Sequence, residues 1–90
     1  MNPEAAETVA LQALAYVVGD AAARERFLAL SGTDPAHLRT QAGNAAFLAG
    51  VLDFVLADEA LLVAFCAAAE IAPDAPQHAR ACLPGAIPAD

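Results

Sequence analysis

Ninety residues leave room for one domain and one core, close to the size at which burial only just offsets chain entropy. Hydrophobic residues make up 59% of the chain, but 26 of the 90 residues are alanine, so bulky core formers are scarce and the bias is towards close-packed helices. Eleven acids stand against four arginines and no lysine, a formal charge of −7 that argues against nucleic acid and against an anionic membrane surface, and suits a partner with a basic patch.

A recurring device punctuates the chain: an Asp or Asn, in places followed by Pro, directly ahead of an apolar-periodic stretch. Asn2-Pro3, Asp20, Asp34-Pro35, Asn44, Asp58 and Asp74 all read as helix N-caps. Gly19 and Gly32 fall where helix ends favour a left-handed residue. Asp20, Asp34, Asp58 and Asp74 are then structural acids, stabilised by helix dipoles.

The first helix is expected over Pro3–Val18, with Glu4, Glu7, Thr8 and Gln12 wet and Ala6, Val9, Ala13, Tyr16 and Val17 on the apolar stripe. A second, Ala21–Leu30, should bury Ala23, Phe27 and Leu30. Two turns after Asp34-Pro35 point Leu38 inward and His37, Arg39 and Gln41 outward. The fourth helix, Ala45–Ala57, carries Phe47, Leu48, Val51, Leu52 and Val55 at core spacing. Asp58-Glu59 makes a good first-turn pair and marks a break. Ala60–Ala69 is apolar all round, which predicts the central helix of a bundle; its ten residues fall short of the roughly 20 that span a bilayer. The last helix, Ala75–Leu83, presents Ala75, Ala79, Cys82 and Leu83 on one side and is stopped by Leu83-Pro84-Gly85, leaving residues 86–90 as a short C-terminal tail. The expected fold is all-α: a compact single-domain bundle of five to six short helices over residues 1–85.

Groups suited to chemistry are few. His78 and Cys82, four apart on one helix face, have two-ligand spacing for zinc, with Cys66 or His37 to complete a site. The chain has no second paired set, however, and no acid is placed to orient the imidazole, so Cys82 reads as core and His78 as surface. Cys66, within Val63-Ala64-Phe65-Cys66-Ala67, reads as a small buried hydrophobe, and two cysteines without a secretory leader read as reduced thiols. Arg24, Arg26 and Arg39 flank the Ser31-Gly32-Thr33-Asp34-Pro35 turn and are the candidate contacts for an anion or a partner, against the plainer reading of surface pairs with Glu25, Asp34 and other acids. Asp53 is expected on the polar side of its helix, and Glu70, at the end of an alanine run, in water. There is no glycine-rich phosphate loop and no nucleophile elbow, and Ser31 is the only serine. No catalytic, cofactor or metal site is assigned, and an enzyme is not expected.

Phe27-Leu28-Ala29-Leu30-Ser31-Gly32-Thr33-Asp34-Pro35-Ala36-His37-Leu38-Arg39, followed by Phe47-Leu48 and then Val51-Leu52-Asp53-Phe54-Val55-Leu56-Ala57-Asp58-Glu59-Ala60-Leu61-Leu62, resembles the bacterial domain-of-unknown-function family DUF3572. The likeness runs over nearly the whole chain to Leu83-Pro84-Gly85, and its most specific word is the central Leu52-Asp53-Phe54 stretch with Ala57-Asp58-Glu59. The resemblance implies a small helical cytoplasmic protein and brings no activity, cofactor or site residue with it. It hints at signalling only by association with response regulators.

Two readings of function follow. The first is a non-catalytic interaction or regulatory module that binds another protein or itself as a homodimer, through surplus apolar surface such as Leu11, Leu14, Val18 and Leu28. The alternative is a bundle that holds a small apolar ligand between its helices. Alanine-rich helices approach closely, which favours the first. The expected location is the cytoplasm.

Overall fold

Five of the six Asp and Asn residues read as caps do cap. The structure, a computed structural model, describes residues 1–84. In it the helices are α1 (Pro3–Gly19), α2 (Ala21–Ser31), α3 (Leu38–Gln41), α4 (Ala45–Leu56), α5 (Glu59–Ala69) and α6 (Ala75–Ala81), with a 3-10 turn at Pro35–His37 leading into α3. No strand occurs among the described residues. Each start follows from one side chain accepting a first-turn N–H: Asn2 from Ala5 at 2.7 Å, Asp20 from Ala22 at 3.1 Å, Asp34 from Ala36 at 2.9 Å, Asn44 from Ala46 at 2.9 Å and Asp58 from Leu61 at 3.1 Å.

Asp74 is the exception. Its backbone lies in the helical region, at φ −92° and ψ −5°, and its side chain makes no cap hydrogen bond; a capping side chain needs the extended backbone that the other five have. Gly19 also departs from expectation. It is the last residue of α1 and not left-handed, because the extended Asp20 ends α1 and starts α2 at once. Gly32, at φ 71°, does close α2 from the left-handed region.

The core centres on α1 and α4, each of which packs against α2, α5 and α6 as well as against the other. Ala6, Ala10, Ala13 and Val17 of α1 and Val51, Leu52 and Val55 of α4 have no exposed surface. The all-round apolar α5 is therefore not the central helix. It buries Leu61, Phe65 and Cys66, while Val63 is 60% exposed and Ala60, Ala64, Ala67 and Ala68 face out. Its apolar outer side consists mostly of alanine methyls, which cost little in water. Phe65 anchors it, its ring 5.9 Å from that of Tyr16 on α1.

Leu30 was expected inside and is 78% exposed. Phe27 is the large side chain that α2 turns in against α4, and Leu30 lines the open groove beside it. Leu14, named above as surplus surface, is buried in α1, and Val18 packs partly against the core. No helix among the described residues is long and apolar enough to cross a membrane. Gly85 and the tail over 86–90 lie outside the described residues.

Candidate functional site

One flank of α4, beside its buried stripe, meets α2. Leu48, Val51, Leu52 and Val55 turn inward, and Phe47, Gly50 and Phe54 run at helical spacing along the flank of that stripe, with both phenylalanines partly buried against the core. Phe27 of α2 meets both rings edge-on, at 5.7 Å from Phe47 and 5.3 Å from Phe54. Edge-to-face contact puts positive ring edges against negative faces, so this trio is fixed in geometry as well as packed. Together with Leu30, Ser31 and Asp53 these residues line an open groove of about 390 Å³. Gly50 has no neighbour within 4 Å of where a Cβ would stand, which leaves the space above α4 clear there.

Charge at the groove is paired. Asp53 Oδ1 accepts from Arg80 Nε of α6 at 2.6 Å, and Arg80 Nη1 donates to the Pro84 carbonyl at 3.1 Å. The Asp53 side chain stays 57% exposed, as expected of a polar-face residue. On the other side, the Arg26 guanidinium lies 5.4 Å from the Phe54 ring centre, a cation–π contact.

Of the three arginines flanking the Ser31–Pro35 turn, two are engaged elsewhere. Arg24 donates to the Val18 carbonyl at 3.0 Å and closes the end of α1. Arg26 reaches Asp58 Oδ2 at 2.9 Å and ties α2 to the start of α5. Arg39 is exposed on α3. The Leu61 N–H, first, and the Arg26 guanidinium hold the Asp58 carboxyl below its ordinary value. Asp20 and Asp58 border one hollow of about 280 Å³, with Tyr16 and Arg26. Both acids are committed there as caps, so this meeting is two helix starts side by side.

The thiols are kept apart in role. Burial, followed by the charge of Asp74, pushes the Cys66 thiol above its usual value, which makes it unreactive. Cys82 is half-buried and donates to the Met1 carbonyl at 2.9 Å, fastening the N-terminus to α6. His78 lies 3.9 Å from Asp74, both exposed, so an acid does stand beside this imidazole after all, through i,i+4 spacing. Among the described residues no three His, Cys, Asp or Glu come together as a metal would require.

The signal of the groove is divided in the sequence: Phe47 falls at core spacing and does pack partly on the core, Leu30 has the spacing of a buried residue but is exposed, and Phe54 lies outside the core stripe. Phe47, Gly50 and Phe54 at three- and four-residue steps were the pattern that marked the face.

A family model described as a protein of unknown function (DUF3572) matches residues 3–86. No curated protein matches the chain, and no solved structure does.

Proposed function

The chain belongs to the DUF3572 family, for which no activity is described, and from that premise we propose that it is a non-catalytic interaction or regulatory module that docks another protein in the groove between α2 and α4. One observation carries this reading. Leu30, 78% exposed, forms one wall of a groove whose other walls are three interlocked phenylalanines. A large aliphatic side chain beside aromatic walls, rimmed by paired charges, is the composition of a protein contact. Arg26, seated on Phe54 and paired with Asp58, stands at its edge.

A small apolar ligand fits the same surface less well. Ligand sites bury roughly 70–90% of what they hold, and a groove this open leaves its occupant wet on one side. The proposed setting is the cytoplasm, to which two free thiols are suited.

Site-specific photocrosslinking in cells tests the reading. A photoreactive phenylalanine analogue at position 30 is expected to give a discrete protein adduct. The same analogue at Leu11, which is 43% exposed on α1 and away from the groove, is expected to give none. Adducts of equal yield at both positions, or none at Leu30, would retire the proposal.

A further inference from the structure

We propose that residues 33–43 form a strap that opens as its own unit while the rest of the bundle stays closed, and that each opening uncovers the apolar surface beneath Leu38 and Ala42. The inference stands apart from the docking reading. Burial is the first observation. Between Phe27 and Leu48 no residue is buried, the longest such run among the described residues. Within the strap, Leu38 and Ala42 pack partly against the core, and these two are its apolar anchors.

Hydrogen bonding is the second. Among the described residues, every hydrogen bond made by residues 33–43 ends on residues 31–44, and no ion pair reaches them. The strap's own helices are a three-residue 3-10 turn and the four residues of α3, too short to persist without packing. Its two ends are firmer. Gly32 N–H donates to the Leu28 carbonyl, and Asn44 caps α4 by accepting from Ala46 and Phe47. A stretch fixed at both ends, but held between them by two partly buried side chains, opens at less cost than the whole fold.

Trypsin reads that opening at one place. The chain has no lysine and four arginines, so cuts can fall only after Arg24, Arg26, Arg39 and Arg80. Arg24 and Arg26 lie in α2 and Arg80 in α6, bonded to the Val18 carbonyl, Asp58 and Asp53. Arg39 lies in the strap. The folded chain is expected to be cut first after Arg39, at a rate that low urea hardly changes, because local opening exposes little surface. Leu38→Ala should speed this cut about tenfold, the effect of losing a half-buried leucine's anchorage. Hydrogen exchange on the uncut wild-type chain supplies a second readout. The amides of Ala42, Gly43 and Asn44 should exchange with little dependence on urea, and those of Val51 and Leu52 with the full dependence of global unfolding. Cuts that appear together after all four arginines overturn the proposal, as do strap amides that follow urea like Val51 and Leu52. A cut after Arg39 that Leu38→Ala leaves at the same rate overturns the uncovering of the surface beneath Leu38.

Discussion

Glu70 and Gly32 end their helices in the left-handed region, and the same backbone costs them differently. Gly32 has no Cβ to strain at φ 71°. Glu70, at φ 56°, does, and it is held there because Ile71 N–H reaches the Cys66 carbonyl at 3.1 Å and Glu70 N–H the Ala67 carbonyl at 3.3 Å, the paired bonds of a Schellman ending. An L-residue in this region carries roughly 1 kcal/mol of strain. Glu70→Gly is therefore expected to raise stability by about 1 kcal/mol, and Gly32→Ala to lower it by about the same amount. Urea midpoints measure both, and a lowered midpoint for Glu70→Gly would contradict the strain assigned here. At Gly50 the balance differs, since its backbone is ordinary helix and its surroundings are open. Gly50→Ala is expected to add about 0.5–1 kcal/mol by restricting the unfolded chain.

Between elements, Asp58 has two tasks at once. It caps α5 through the Leu61 N–H and binds Arg26 across from α2. Both contacts favour its charged form, so its folded-state value lies below the ordinary 3.8. A depressed carboxyl contributes stability that is present above its unfolded value and is lost as pH falls through the folded one. Acid titration of urea stability is thus expected to show wild type above Asp58→Asn near neutrality, with the gap closing below about pH 4. A gap that stays constant on acidification would remove the linkage. The cap itself was readable in advance, as were those of Asn2, Asp20, Asp34 and Asn44, because donor and acceptor lie within three residues of each other. Where the reading failed, the deciding contact was remote. Leu30 stays open beside the contact of Phe27 with Phe47 and Phe54, twenty and twenty-seven positions along the chain, and no local pattern reports that contact. The peripheral place of α5 has a similar origin: its alanines look like core until α1 and α4 are seen to fill the centre themselves.

For the molecule as a whole, alanine decides how closely the helices pack. Ala6, Ala10 and Ala13 have no exposed surface, and they let α1 lie close against both α4 and α6. Helices drawn this near leave little interior space for a ligand, which is the packing argument for the docking proposed at the α2–α4 groove. The same closeness makes the centre intolerant of bulk. Ala10→Leu adds methylenes at a site without slack and is expected to cost about 1–3 kcal/mol. In a domain of this size each kcal/mol moves the melting temperature by roughly 4–8 °C, so the variant should melt well below wild type. Ala22→Leu, on the exposed side of α2, supplies the comparison at equal side-chain chemistry and is expected to shift the transition little. Equal melting temperatures for the two variants would show that α1 has space to spare at its centre, and the packing argument for the proposed docking at the groove would fail.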